Sequence, residues 1–152
     1  MTANISIVTL GVDDLAAATD FYVSMGWENS AASQDSVSFL IGHSVVLGLY
    51  GRAALAEDAE VDPAGSGFRG VSLAINLPDE AAVDAYFHKA LSHGASARKK
   101  PQKVFWGGYS GYFADLDGHL WEVAHNPFFE GDIATGQLKL PGAAAAAEDK
   151  DT

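Results

Sequence analysis

The chain has 152 residues, of which 48% are hydrophobic, and it combines a formal net charge of −11 with a complete lack of cysteine. This hydrophobic content supports a folded core and excludes a disordered chain, while the negative charge argues against nucleic-acid binding, which requires clustered Lys and Arg. The lack of cysteine excludes disulfides and thiolate ligands and favours a cytoplasmic location, and no apolar run is long enough to predict a membrane span.

The first half of the sequence predicts a strand, a helix and a hairpin. The helix begins at Asp13 or Asp14, both of which are suitable N-cap residues, and it ends before Gly26. Residues 51–68 are rich in Ala, Gly, Asp and Glu, and we interpret them as a linker. The predicted elements are a strand over residues 5–12, a helix over 13–25, a short strand over 27–31 and a hairpin over 36–50.

The second half repeats this order of elements after the linker. Residues 12–22 align with residues 77–87, and the Gly-His pair at 42–43 aligns with the pair at 118–119. Repetition of a whole unit predicts two modules with the same fold. The predicted elements of the second module are a strand over residues 70–77, a helix from Asp79 or Glu80 to about His93, a strand and loop over 95–105, and a hairpin over 109–125.

The last of these hairpins contains the strongest chemical signal in the chain. Its turn, Asp115–Gly118, joins two strands that are rich in aromatic residues. Glu122 lies in the second strand between Trp121 and Val123, so its side chain projects to the face opposite both neighbours. Either Glu122 is a general base or a hydrogen-bond acceptor for a ligand, or it pairs with a backbone group or a nearby Lys or Tyr. A buried carboxylate requires a partner of one of these kinds.

Aromatic residues near this hairpin are candidates for contact with a ligand. Trp106 precedes two glycines, which permit close approach to the backbone, and its indole offers a flat surface for stacking. Phe105, Tyr109 and Trp121 are further candidates, although strand alternation prevents all of them from facing one cavity, and core packing is the alternative role. Arg69 precedes the first strand of the second module and is either a cation for a substrate carboxylate or an exposed linker residue.

Three motifs resemble the vicinal oxygen chelate superfamily, which includes glyoxalase I, extradiol dioxygenases and bleomycin-resistance proteins. The resemblance covers residues 4–130 and implies an α+β fold, in which two pseudo-repeated βαβββ modules form a half-open sheet cup. It also implies a homodimer. The motifs are VTLGVDDL at 8–15, the helix aromatics Phe21 and Tyr22, and DLDGHLWE at 115–122, which has Leu116 where the family usually has Pro.

The chain is therefore expected to form one domain over residues 1–130. Its two modules occupy about residues 4–50 and 69–127. Residues 131–152 lack the periodicity of helices or strands and are expected to form a C-terminal tail. The last ten residues, AAAAAEDKDT, are predicted to be disordered.

The resemblance also identifies four positions at which metal-dependent members of the family place His or Glu ligands for a divalent cation. In this sequence the four positions fall on Ile7, Val46, Ser72 and Glu122. Ile and Val cannot coordinate a cation and Ser is a poor neutral ligand, so only Glu122 is competent. The five histidines show no H-x-x-x-H or H-E-x-x-H spacing. We expect neither a metal ion nor another cofactor.

Two classes of function fit these observations. The first is a metal-independent small-molecule-binding protein of the bleomycin-resistance type, which holds its ligand in the sheet cup by acidic charge and aromatic stacking. The second is an enzyme of the same superfamily, a lyase, isomerase or dioxygenase-like protein, in which Glu122 acts as the base on an oxygenated substrate. Saturable binding without turnover would favour the first class, and pH-dependent turnover would favour the second.

Overall fold

The computed structural model describes residues 3–128, 130–131 and 137–140, and the predicted disorder of the last ten residues lies outside them. Most of the described chain forms two units of one strand, one helix and three strands. The elements are β1 (Ile7–Val12), α1 (Leu15–Ser24), β2 (Glu28–Asn29), β3 (Val37–Ile41), β4 (Val46–Gly51), α2 (Arg52–Asp58), β5 (Ser72–Asn76), α3 (Glu80–Ser92), β6 (Ser96–Lys103), β7 (Tyr109–Ala114), β8 (Leu120–His125), β9 (Glu130–Gly131) and β10 (Leu138–Lys139).

Each module contains one four-stranded mixed sheet with the same topology. The strand order is β1-β4-β3-β2 in the first module and β5-β8-β7-β6 in the second. In both sheets the first strand pairs in parallel with the last strand, and the remaining pairs are antiparallel. The predicted α+β fold with two repeated modules is therefore confirmed. Helix α2 lies inside the segment that the sequence identifies as a linker.

Aspartate side chains cap the N-termini of the two long helices, α1 and α3. The Asp14 carboxylate accepts a hydrogen bond from the backbone N–H of Ala17 at 3.0 Å, and the Asp79 carboxylate accepts one from Ala82 at 2.7 Å. Each bond satisfies one of the backbone donors that a helix N-terminus leaves unpaired. Of the two N-cap candidates that the sequence offers at each helix, the structure therefore selects Asp14 and Asp79.

One hydrophobic core joins the two modules. Strand alternation places Leu10 and Val12 in this core, while Ile7 in the same strand is 47% exposed. In β8, Trp121 and Val123 are buried in the same core. Each sheet consequently has a helix-facing side, which packs in the core, and an opposite side that we call the outer face. Among the described residues, no helix is both long and apolar enough to cross a membrane.

Candidate functional site

Glu122 lies on the outer face of the second sheet and is paired with a tyrosine. Tyr112 in β7 is its direct register partner, and the Tyr112 hydroxyl donates a hydrogen bond to Glu122 Oε2. Both side chains are half-buried. No donor among the described residues binds the second carboxylate oxygen, Oε1. The pair therefore presents one carboxylate oxygen that is held by the protein and one that can accept a hydrogen bond from a ligand.

The carboxylate keeps its tyrosine partner protonated. The hydrogen bond to Glu122 raises the pKa of Tyr112 from 10.0 to about 12, and partial burial and the charge of Glu122 act in the same direction. Tyr112 thus remains a neutral hydrogen-bond donor throughout the physiological pH range. Tyr109 has a similar arrangement elsewhere, because its hydroxyl donates to Asp84 Oδ1 at 2.7 Å and this bond raises its pKa to about 12.

Glu122→Gln is expected to lower the pKa of Tyr112 from about 12 towards 10.0, because the substitution removes the carboxylate that opposes formation of the tyrosinate. A pH titration of [¹³Cζ]tyrosine resonances by NMR measures this change, with Tyr109 as an internal control whose pKa should stay near 12.

The raised pKa of folded Tyr112 stabilises the protein below pH 10.0, and this contribution is lost as the pH rises towards 12. An unchanged Tyr112 titration in the variant would contradict the assigned hydrogen bond.

The comparisons with known proteins agree with this architecture. The sequence profile of the Glyoxalase/Bleomycin resistance protein/Dioxygenase superfamily matches residues 4–123. The chain belongs to this superfamily. The resemblance identified from the sequence motifs is thereby confirmed. None of the curated protein sequences matches the chain.

Solved structures of superfamily proteins are similar over most of the chain. A glyoxalase-related enzyme from Fulvimarina pelagi has a TM-score of 0.82 and 28% identity, with 91% of this chain and 99% of that chain covered. A glyoxalase/bleomycin resistance protein/dioxygenase family enzyme from Burkholderia phytofirmans PsJN has a TM-score of 0.73 and 18% identity, with coverage of 81% and 98%. A lactoylglutathione lyase from Agrobacterium tumefaciens has a TM-score of 0.63 and 23% identity, with coverage of 83% and 96%. The two comparisons below 25% identity support the fold alone.

The positions that hold a metal ion in metal-dependent members of the superfamily carry few side chains able to bind a metal in this chain. Ile7 and Val46 lie directly opposite each other in the first sheet. In the second sheet, Ser72 lies opposite Leu120, whereas the residue opposite Glu122 is Ala74. Neither Ser72 nor Ala74 supplies the imidazole or carboxylate that a divalent cation requires. Within the described part of the chain, no group of three or more His, Asp or Glu residues is arranged to hold a metal ion.

Trp121 and Tyr109 lie on the opposite side of the second sheet from Glu122. Trp121 is only 4% exposed, and its indole Nε1–H donates a hydrogen bond to the Tyr22 hydroxyl at 2.9 Å. The Tyr109 hydroxyl reaches Asp84 on α3. These two aromatic candidates therefore face the helices, and they do not share the outer face with the carboxylate.

The remaining three candidates are Phe105, Trp106 and Arg69. Phe105 is fully exposed, and the Trp106 ring covers Gly108 so closely that a Cβ atom there would lie 1.8 Å from it. The Arg69 guanidinium contacts His119 Nδ1 at 2.9 Å and donates to the backbone carbonyl of Asp117 at 3.1 Å. Within the described residues, no hydrogen bond or ring contact links these side chains to Glu122.

A cavity of about 700 Å³ lies on the helix-facing side, between the two modules. It is lined by one predicted ligand residue, Trp121, and by two aromatic residues for which the sequence predicts no ligand contact. Trp27 follows Gly26, just beyond the C-terminal end of α1, and Tyr86 precedes the core residue Phe87. Their aromatic character can be read from the sequence, but it does not show whether the side chains line a cavity or pack in the core. Residues that line the cavity include Val8, Trp27, Leu47, Ile75, Tyr86 and Trp121.

Proposed function

We propose that this superfamily member binds a small hydroxylated or cationic aromatic molecule on the outer face at Glu122, without a metal ion. The proposal is supported above all by the Glu122–Tyr112 pair, which fixes one carboxylate oxygen and leaves Oε1 without a protein donor among the described residues. A ligand hydroxyl or ammonium group is the natural partner of such an oxygen. The net charge of −11 further favours a cationic ligand.

The side chains at the family positions support metal independence. A divalent cation needs several oxygen or nitrogen ligands, and only Glu122 offers one of the usual type. Its neighbours on the outer face are unsuitable, since Ala74 lies on one side and Tyr112, which already donates its proton, lies on the other. A single carboxylate does not retain a divalent cation against bulk water.

An enzymatic role is the second candidate function. The same Oε1 atom is available to accept a proton from an oxygenated substrate, which is the requirement for a general base. One of the similar structures is a lactoylglutathione lyase, so the fold is compatible with catalysis. We favour binding, because the described outer face supplies this one carboxylate and no second catalytic group in hydrogen-bond contact with it besides Tyr112.

Isothermal titration with tyramine, a cationic phenol, tests the binding proposal. Glu122→Gln is expected to weaken binding about tenfold or more, because a hydrogen bond to a charged group is lost. The matched control is Asp35→Asn, which removes the same charge from an exposed position. Equal affinity of the wild type and the Glu122→Gln variant would refute the site assignment. Chelator-resistant, pH-dependent turnover that is lost in Glu122→Gln would instead support the enzyme.

Elemental mass spectrometry of the purified, untagged protein tests metal independence. We expect no stoichiometric metal, and no increase in Tm when nickel, zinc, manganese or iron(II) is added. The double variant Ile7→His/Val46→His is a positive control, because the two side chains lie directly opposite each other and two imidazoles there should bind nickel. A tightly held stoichiometric metal in the wild type would overturn this part of the proposal.

We further propose that the protein is a homodimer located in the cytoplasm. Apolar side chains on the outer face of the first sheet support self-association, since Ile7 is 47% exposed and Ile41 is 43% exposed, and both are register partners of Val46. The lack of cysteine supports a reducing compartment. Sedimentation analysis measures the oligomeric state directly.

A further inference from the structure

The cavity between the modules differs from the Glu122 site in position and chemistry. Its volume of about 700 Å³ falls in the range typical of small-molecule sites. Glu122 does not line it, and Trp121 does, although the two residues are adjacent in β8. Because adjacent strand residues point to opposite sides, a ligand in the cavity and a ligand on the outer face contact different surfaces of the same strand.

Aromatic rings form part of the cavity wall. Trp27 and Trp121 are arranged edge to face, with their ring centroids 6.3 Å apart, and Tyr86 contributes a third ring. The Trp27 ring rests on the backbone of Gly42, where a Cβ atom would lie 2.6 Å from it. Aliphatic side chains such as Leu73 complete much of the lining. Such walls favour a flat, apolar ligand that can stack against or meet the edge of an aromatic ring.

Tyr86 is a lining residue whose hydroxyl can donate a hydrogen bond to such a ligand. This hydroxyl makes no hydrogen bond to the described residues, and its oxygen remains accessible to solvent. Burial raises the pKa of Tyr86 to about 12, so the hydroxyl remains a donor at neutral pH. A half-buried donor without a partner among the described residues is best satisfied by an acceptor oxygen on the ligand.

The residues lining the cavity also restrict the charge of the ligand. None of the described residues that line the cavity is Asp, Glu, Lys or Arg, and the imidazole among them, His43, is exposed. An ionised ligand would lose its hydration without gaining a partner of opposite charge. A neutral molecule is therefore strongly favoured over a carboxylate or an ammonium compound.

We propose that the cavity between the modules is a second ligand site, which binds a neutral planar aromatic molecule through a carbonyl-type acceptor oxygen at Tyr86. The site is independent of the proposed function at Glu122, since it uses other residues and the other side of β8. Coumarin, a neutral aromatic lactone, has the required ring and carbonyl and serves as the probe.

An NMR titration with coumarin tests this site through the three tryptophan indole N–H resonances. The resonances of Trp27 and Trp121 are expected to shift in a saturable manner. Trp106, which does not line the cavity, provides an internal control and should not shift. No saturable shift of Trp27 and Trp121 up to the solubility limit of coumarin, or a shift confined to Trp106, would overturn the proposal.

Variants then test the orientation and the location of the ligand. Tyr86→Phe should weaken coumarin binding about three- to tenfold, the usual range for one hydrogen bond, and leave naphthalene binding unchanged because naphthalene has no acceptor. Val45→Trp should fill part of the cavity and prevent binding, whereas Val71→Trp, at an exposed position outside the lining, is the matched control. Equal effects of Tyr86→Phe on both compounds would exclude the assigned hydrogen bond.

The Glu122→Gln variant separates this site from the one on the outer face. If both proposals are correct, the variant loses affinity for tyramine and keeps its affinity for coumarin. Weaker coumarin binding in Glu122→Gln would place the ligand on the outer face and refute the cavity site. Normal coumarin binding together with unchanged tyramine binding would refute only the function proposed for Glu122.

Discussion

Asp115→Ala is expected to reduce the free energy of unfolding by about 4 kcal/mol, because it removes the shared acceptor of a buried hydrogen-bond network. Asp115 is 5% exposed and lies in the turn between β7 and β8. Its Oδ1 accepts hydrogen bonds from the backbone N–H groups of Asp117 at 2.9 Å and His119 at 2.8 Å. Its Oδ2 accepts one from the Tyr22 hydroxyl on α1.

This network joins the second module to the helix of the first. Burial and the neighbouring Asp115 carboxylate raise the pKa of Tyr22, so its hydroxyl remains protonated and donates to Asp115. The same hydroxyl accepts the Trp121 indole N–H at 2.9 Å. Removing the carboxylate would leave the Tyr22 hydroxyl and two backbone N–H groups without their acceptor, and each such loss inside a protein is costly.

Urea unfolding of the wild type and variants at pH 7 measures this effect, since a lower midpoint at constant m-value reports a loss of stability. Asp115→Asn keeps one carbonyl acceptor and should lose less stability than Asp115→Ala. The matched control is Asp35→Ala, because Asp35 is an exposed aspartate. A loss of less than about 1 kcal/mol in Asp115→Ala would show that the network adds little beyond an ordinary surface turn.

Gly111→Ala is expected to cost about 2–3 kcal/mol, because the new methyl group would collide with the backbone of the neighbouring strand. A Cβ atom at Gly111 would lie 2.7 Å from the Pro101 nitrogen and 2.8 Å from the Lys99 carbonyl oxygen. Both atoms belong to β6, where the register with β7 shifts between Lys99 and Gln102. The irregular strand approaches β7 closely at this point, and backbone atoms cannot move aside as a flexible side chain can.

Thermal and urea unfolding measure the stability of this variant, and amide exchange should show faster opening of the β6–β7 pair. Gly51→Ala is the matched control. Its new methyl group would lie 3.9 Å from the Ala54 Cβ atom, and its φ of −51° suits any residue, so the loss should stay below about 1 kcal/mol. Similar losses in the two variants would contradict the steric explanation for Gly111.

The two proposed ligand sites lie on opposite sides of the second sheet, because side chains alternate in direction along a strand. Glu122 and Trp121 are neighbours in β8, but one faces Tyr112 on the outer face and the other faces the core and the cavity. A charged or hydroxylated ligand suits the first environment and a neutral aromatic ligand suits the second. Tyramine and coumarin are therefore expected to bind at the same time without competing with each other.

The sequence alone determined the repeated order of elements, because that order depends on local patterns. Aromatic, β-prone residues on either side of the Asp-Gly turn identified the strands of the last hairpin, 109–114 and 120–125. Aspartate followed by an apolar helix identified the starts of α1 and α3. The opposite directions of Glu122 and Trp121 were also predicted, since they require only that the two residues share a strand.

Only the tertiary structure decided which side chains meet. Strand register and the packing of one module against the other determine these partners, which are Tyr112–Glu122, Ala74–Glu122 and Tyr22–Asp115. The second and third of these contacts join residues far apart in the chain, and no local pattern encodes them, whereas the turn of the hairpin sets the register that brings Tyr112 opposite Glu122. The cavity likewise exists because Trp27 from the first module and Tyr86 from the second converge on one core without filling it. Composition and periodicity predict that such residues are buried, whereas the space left between them is a property of the packed modules.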